Sequence, residues 1–581
     1  MWFLLILANL AVASAMAAVL LASGARIRRL LRLPTGPGDR WAVDLVLGAF
    51  LCGLWVLALG LAGLLRPILL LVGVILQGTF GRWRGVHRPM KPMMVAGVAG
   101  IPNLLIALGP PHFYDAMVYH LGLPWQALQD GAWLAHPENV FAAFPPLSQL
   151  VSTLPLSVGA LSAPALLHWF SWAVAAVAAG AVARRLGASP LLAHGLTAAA
   201  MLLSATPLVP GFPAAEGWFL AALIPALGAV VGSTCRSSTL PGSMLLLGTA
   251  CAFRLQGPAW GLIFGLVWIA RTRDVKSIVR ALPWAVAGTA PWWLKNAILL
   301  GDPVAPVFWR REGIDTLWRD GASLLRLGRQ PFEILLGLPR YLAAVGPVLG
   351  PVLLGSTLAA TKNPRTRPAL WAAALSLGAW AATGSLPRFL APTMILLLIS
   401  VAAWRLPKGI HLVAGALLMW SLIIGSAAQA RWLLLVQPVK LLSLNFADAA
   451  FLVAPNPPFN AYLNLETLLP AETRIMVVGD ARGFGLPRPF VVTSQHDPSP
   501  LRSLVETANN QQITEDLRNR GITHLVVNSR ELQRLADNYP IAPWKTTHGE
   551  ARWWSFVRSL GPPLEERDGV GVYCVSLPKL P

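Results

Sequence analysis

Residues Gly109 to Leu150 read GPPHFYDAMVYHLGLPWQALQDGAWLAHPENVFAAFPPLSQL. Strongly apolar segments flank this stretch, yet it carries Asp115, Asp130, Glu138 and three histidines. A carboxylate at the mouth of a membrane bundle is costly to keep dry, which marks it as a candidate functional group. A plainer reading stands beside that one. Asp115 follows a Pro-Pro turn and precedes AMVYHL, a position from which an aspartate can cap a helix.

Composition places the stretch in a membrane protein. Of the 581 residues, 55% are hydrophobic and 12% charged, and soluble domains carry about twice that charged share. Several apolar runs approach the roughly 20 residues that a bilayer crossing needs. Lys and Arg number 46 against 26 Asp and Glu, a net charge of +20. Much of the excess sits in short loops between apolar runs, the positive-inside pattern. No basic stripe interleaved with aromatics occurs, which excludes a nucleic-acid partner. Cys52, Cys235, Cys251 and Cys574 match no metal or redox spacing and read as unpaired packing residues.

Taken in order, residues Trp2 to Ser23 form an apolar run with its charges, RIRRLLR, after it. A cleaved signal has them before, so this is a retained helix with its N-terminus outside. Spans at Trp41 to Leu65 and Pro67 to Phe80 lead to the basic, cytoplasmic loop GRWRGVHRPMK. The next span, near Met93 to Leu108, exits on the outer face and places Asp115 there. The pieces Met117 to Trp133 and Phe141 to Leu156 are too polar to cross and read as interfacial helices. Continued alternation gives about 14 spans and a long external loop from Gly301 to Arg340. The basic loops ARRLG, RTRD, TKNPRTR and RLPK fall on one side. Asp115, Glu216, Arg254, Lys295 and Arg388 fall on the other.

The expected fold is therefore an all-α polytopic membrane bundle over residues 1–430, with an external loop at 109–162. Residues 431–581 read as a small extracytoplasmic α/β domain. Its strands are RIMVVGD, PFVVTS, ITHLVVN and VGVYCVSL, and its helices ITEDLRNRG and RELQRLADN. VVGDARGFG lacks the G-x-G-x-x-G spacing of a dinucleotide site, so no such cofactor is assigned.

Acids and bases gathered at one membrane face suit ion transport, hydrolysis, or group transfer from a lipid-linked donor. Transporter sites lie near the midplane, whereas these charges lie at span ends, which favours interfacial chemistry. Sugar transfer from a polyprenyl phosphate needs a carboxylate to accept the acceptor's proton. It also needs cations or a divalent metal to stabilise the departing phosphate. Asp115 is the natural base. Glu216 and Glu138 are placed to hold a magnesium or manganese ion with it, and Arg254, Lys295 and Arg388 to bind phosphate. Tyr119 lies one helical turn from Asp115 and reads as packing on its face. His120 is a possible support. Asp130 has no partner or motif and reads as a solvated helix-end charge.

These segments resemble the C-type (GT-C) membrane glycosyltransferases, closest to the bacterial group with the protein mannosyltransferases and the lipid A aminoarabinose transferase. YDAMVYHLGLP resembles their first external loop, and the resemblance gives Asp115 the catalytic role. FAAFPPLSQL, with Glu138 before it, resembles the following Pro-Pro stretch. FPAAEGWFLAA resembles the second external loop, which implies a metal role for Glu216. PWWLKNAILLGDPVAPVF, with Lys295 and Asn296, and LPRFLAP, with Arg388, resemble two later recurrent segments. Three features depart from the group: Ala116 stands where some relatives have a second acid, FAAFPPL lacks the aminoarabinose enzyme's lysine, and the first three spans lie before the segment matching the group's first helix.

The implied activity is that of an inverting hexosyl or pentosyl transferase in the bacterial inner membrane. Its site and C-terminal domain are expected to face the periplasm or cell exterior, the donor is lipid-linked, and the acceptor is a glycan, lipid or protein. The alternative is a transport-type or non-catalytic membrane protein of envelope glycolipid assembly.

Overall fold

A computed structural model describes residues 2–36, 38–81, 90–203, 206–231, 237–306, 348–360, 363–383, 386–403, 411–437, 440, 442 and 456–575. The loop expected at Gly301 to Arg340 lies outside these residues from 307 onward.

Four described helices are long and apolar enough to cross a membrane: Phe3–Leu30, Arg40–Leu61, Ala163–Leu186 and Leu412–Val436. A fifth crossing is broken, Lys91–Ala99 and Ile101–Leu108 meeting at a 68° bend. Gly100 and Pro102 stand at that joint, where helix hydrogen bonding is easily interrupted. Other apolar helices are shorter, among them Pro67–Phe80, Pro190–Met201 and Glu216–Val231. The expected count of about 14 full spans is thus not reproduced among the described residues. Alternating short runs read as spans from composition, but many fold as helices of 10–17 residues.

Small residues set how closely the helices pack, as expected where lipid removes the hydrophobic drive between them. A Cβ on Gly24 would meet the Asp44 carbonyl, and one on Gly48 the Leu20 carbonyl, so helices Trp2–Leu30 and Arg40–Leu61 touch backbone to backbone. Arg28 and Asp44 pair across the same seam at 2.6 Å.

The Gly109–Leu150 stretch folds into short pieces. A π-helical turn at Ala116–His120 leads into helix Gly122–Asp130, which ends at Gly131 with φ +69°. A 3-10 turn at Val140–Ala143 precedes helix Leu147–Ser157. That last helix is buried along most of its length and packs on Arg40–Leu61, so it is not an element lying on the surface. Asp130 is half-buried rather than solvated.

The C-terminal region holds a five-stranded sheet of order β2-β1-β3-β5-β4. Its strands are β1 Ile475–Val478, β2 Phe490–Val492, β3 His524–Asn528, β4 Glu565–Arg567 and β5 Val570–Cys574. β1, β2 and β3 run parallel, and β5 is antiparallel to β3 and β4. The short charged strand β4 and helix Thr547–Ser559 carry too little β or periodic apolar signal to stand out in the sequence. The sheet docks on the bundle through the Gly109–Leu150 stretch. Met117, Leu121 and Leu156 share one apolar cluster with Phe459, Phe484 and Phe490. The Trp125 indole donates to the Leu486 carbonyl at 2.7 Å, and Gln126 to that of Phe490 at 2.8 Å.

Candidate active site

Asp115 is the residue before the π-helical turn, and its side chain makes no capping bond to that turn. The plainer reading of Asp115 as a helix cap therefore fails. Its carboxylate instead accepts from Nη2 of Arg388 at 2.8 Å, and both side chains are 24% exposed. Arg388 comes from the 3-10 turn Pro387–Leu390, which opens helix Ala391–Ala402.

Glu216 opens helix Glu216–Val231, where the helix dipole favours an acid. It is buried, and its Oε1 pairs with Nη1 of Arg254 at 2.6 Å. Nε of Arg388 stands 3.8 Å from the same oxygen, so Arg388 lies between the two carboxylates. Arg254 follows helix Leu240–Phe253 in extended conformation. Its guanidinium lies over the Phe389 ring at 4.9 Å, a stacked placement that fixes the fork. Four side chains expected on one face of the membrane thus form a contiguous set of two acids and two arginines.

His168 supports this set and gave no signal in the sequence, being one histidine within the apolar run APALLHWFSW. Its Nε2 accepts from the Gly217 amide at 2.8 Å, satisfying an early N–H of the Glu216 helix. Tyr119 packs as expected: its ring stacks on Phe141 at 4.5 Å and touches His120 at 4.2 Å. Burial pushes the His120 imidazole down to about 3, so it is neutral at ordinary pH.

Two expected site residues are engaged by other partners. Glu138 pairs with His136 at 3.2 Å, and its carbonyl accepts from the Ser494 amide at 3.4 Å. Lys295 is 1% exposed, and its ammonium donates to the carbonyls of Ala142 and Phe144. Asn296 donates to Ala143 and Ala305 at 2.8 Å each, and Trp292 to Ala143 at 3.0 Å. The WWLKN segment therefore clasps the FAAF backbone, a contact that its sequence spacing does not reveal.

Among the described residues, no three His, Cys, Asp or Glu side chains gather as metal ligands. The expected trio of Asp115, Glu216 and Glu138 is not assembled. The two acids that do converge have their charge met by Arg254 and Arg388, and this arrangement does not fit a divalent cation as folded.

No family model and no curated protein matches this chain at the sequence level. Solved structures do match. The crystal structure of ArnT from Cupriavidus metallidurans bound to undecaprenyl phosphate superposes with a TM-score of 0.54 at 14% identity, over 84% of this chain and 98% of that one. Its apo state gives 0.53 with the same identity and coverage. The match extends over nearly the whole neighbour, across the bundle, and it identifies the architecture: the chain has the GT-C fold.

Proposed function

We propose that this chain is an integral-membrane inverting glycosyltransferase. It moves a hexosyl or pentosyl group from a polyprenyl phosphate to a hydroxyl of a glycan, lipid or protein acceptor outside the cytoplasm. The observation that carries the reading is Arg388, bonded to Asp115 at 2.8 Å and next to Glu216 at 3.8 Å, with the Asp115 pair partly open. The shared fold with a protein crystallised with undecaprenyl phosphate supports the donor class.

In the reaction, the acceptor oxygen bonds the anomeric carbon while its proton passes to an Asp115 oxygen. The bond from that carbon to the phosphate oxygen breaks, and its electron pair leaves with the polyprenyl phosphate. Entry opposite the leaving group inverts the centre. One negative charge thus moves from Asp115 to the phosphate. Arg388, hydrogen-bonded to Asp115 before the reaction, is the counter-ion that can serve both positions, and Arg254 adds a second positive charge. Glu216 holds the two guanidiniums in place and keeps the set neutral. Lys295 acts one step back, fixing the loop beside Tyr119.

The test is a panel of labelled polyprenyl-phosphate sugars offered to the full chain in lipid nanodiscs with envelope glycans, lipids and proteins. Wild-type chain is expected to transfer one of them, and Asp115→Asn to lose that transfer by about 10²–10⁴-fold while staying folded. Translocation without transfer, no transfer at all, or full activity in Asp115→Asn would overturn the reading.

A further inference from the structure

Helix Ala163–Leu186 begins beside the acid-bearing loop, where the Ser162 hydroxyl donates to the Gly109 carbonyl at 2.7 Å. Its 24 residues carry the chain about 36 Å. Arg184 and Arg185 in its last turn therefore lie at the end of the bundle opposite Asp115. A cavity of about 220 Å³ opens there. Its walls are Arg185, the turn that holds Thr35, Gly36 and Asp39, and helices Glu216–Val231 and Leu240–Phe253. One water needs only about 10–15 Å³ of such space.

Two polar atoms of this wall are buried without a partner. Asp39 is 6% exposed, and its Oδ2 accepts from Nη1 of Arg185 at 2.5 Å, but its Oδ1 has no hydrogen-bond partner. The Thr35 hydroxyl is likewise buried and unpaired. Leaving such atoms unmet is costly unless a ligand supplies the bond. Burial pushes the Asp39 carboxyl above its usual range even with Arg185 and the Gly36 amide nearby, so a further cationic donor would stabilise it. Arg185 has donors to spare as well, since only Nη1 of its guanidinium makes a hydrogen bond among the described residues. Two glycines leave room for that fork. A Cβ on Gly36 would stand 2.7 Å from Nη1, and one on Gly228 2.7 Å from Nη2.

The pair selects its ligand by sign. Asp39 repels a bare anion, and Arg185 repels a bare cation. A molecule carrying an ammonium and a phosphate suits both, with charge-assisted bonds at each end. Arg185 also lines a second cavity, of about 480 Å³, with Val177, Ala181 and Ala193 on its apolar wall. A polar headgroup and an acyl chain thus have places that meet at one arginine, at a depth where basic pockets between membrane helices take lipid headgroups.

We propose that this end of the bundle binds a phospholipid with a primary ammonium headgroup, of the phosphatidylethanolamine kind, from the leaflet opposite Asp115. The ammonium donates to Asp39 Oδ1 and the Thr35 hydroxyl, the phosphate accepts from Arg185, and an acyl chain lies along the apolar wall. The site stands apart from the sugar-transfer chemistry, and its test involves no transfer.

The full chain is placed in nanodiscs of phosphatidylcholine mixed equally with phosphatidylethanolamine or phosphatidylglycerol, and the lipids it retains on release are counted by native mass spectrometry. Phosphatidylcholine carries the same charges but no N–H donor. Wild type is expected to retain phosphatidylethanolamine over phosphatidylcholine at least about tenfold, the worth of one hydrogen bond to a charged group. Asp39→Asn keeps the shape and loses the charge, and should lower that preference to about threefold or less, because charge-assisted bonds are roughly twice as strong as neutral ones. Thr35→Val removes a hydroxyl that bonds nothing in the protein. It should cut the preference about threefold, while the unfolding midpoint in phosphatidylcholine alone does not fall. Equal retention of the two lipids by wild type overturns the proposal, as does phosphatidylglycerol retained above phosphatidylethanolamine, since Asp39 is then not read. An unchanged preference in Thr35→Val overturns it even if Asp39→Asn does not fold. Soluble phosphoethanolamine is the last arm, added to the chain in phosphatidylcholine. It should leave the unfolding midpoint where it was; a rise equal to that given by phosphatidylethanolamine would make the occupant a soluble zwitterion and overturn the lipid assignment.

Discussion

The molecule contains two clusters of the same composition, each with two acids and two arginines. Asp115, Glu216, Arg254 and Arg388 sit at the end of the bundle. Asp480, Glu531, Arg482 and Arg534 sit at the carboxyl edge of the sheet. In the second, Asp480, Glu531 and Arg482 are fully buried. Arg482 bonds both oxygens of Asp480, at 2.8 and 2.7 Å, and the Asn456 carbonyl at 2.8 Å. Asn528 binds Asp480 as well, at 2.8 Å. Gly479, at φ +83°, lets the chain pass Leu532 and the Asn528 carbonyl to set up this arrangement. The bundle cluster is looser. Arg388 makes a single short bond, its Nε makes no hydrogen bond among the described residues, and a quarter of its side chain is open. Identical chemistry thus does two jobs. A cluster whose two acids and central arginine are sealed from solvent, with Arg534 at its rim, holds structure, whereas one whose acid–arginine pair is itself partly open, with a donor in reserve, is suited to take a substrate phosphate.

That contrast can be broken from either side. The largest effect is expected at the sealed cluster. Arg482→Ala takes the guanidinium from the buried Asp480 carboxylate, while Glu531 keeps its bonds to Arg534, and should cost about 3–5 kcal/mol, read as a lowered unfolding midpoint of the full chain. An unchanged midpoint would mean that the sealed set is not structural. Next, Arg388→Ala should slow transfer about 10²–10³-fold, the usual cost of one lost charge-stabilising donor, while the unfolding midpoint moves little. If instead stability collapsed and residual activity per folded molecule held, the roles of the two clusters would be reversed.

The smallest effect uses pH. The folded His120 imidazole, held at about 3 against an ordinary 6.5, is protonated far more readily once unfolded. Its contribution to stability is therefore present above pH 6.5 and is lost as pH falls from 6.5 towards 3. Thermal unfolding between pH 7 and 5 should show this decline, and His120→Phe should make it shallower, with other buried histidines such as His112, lowered to about 4 by burial, supplying the rest. An equal slope in that variant would assign the decline to other groups.

Much of this was legible in the sequence, for definite reasons. Apolar runs separated by basic loops gave the bundle and put Asp115, Glu216, Arg254 and Arg388 on one face, because the bilayer imposes alternation. Strand-like runs such as RIMVVGD and ITHLVVN gave the small sheet. Pairing was not legible: Asp115 and Arg388 are 273 residues apart, and no local pattern records such a contact. Lys295 at a span end reads as a phosphate ligand or a snorkelling anchor, yet its partners are carbonyls about 150 residues earlier. Glu138 lies in the right loop but turns to His136. His168 carried no motif, and only the packing of distant elements gives it a place.

The central claim is that Arg388 is counter-ion first to Asp115 and then to the phosphate. The most direct test is the affinity of Asp115→Asn for undecaprenyl phosphate, measured in nanodiscs beside the wild type. Removing the carboxylate frees Arg388 and relieves its repulsion of the phosphate. The account predicts severalfold tighter binding together with abolished transfer, in line with about 1 kcal/mol for one partly screened charge. Weaker binding, or unchanged binding with transfer intact, would contradict it.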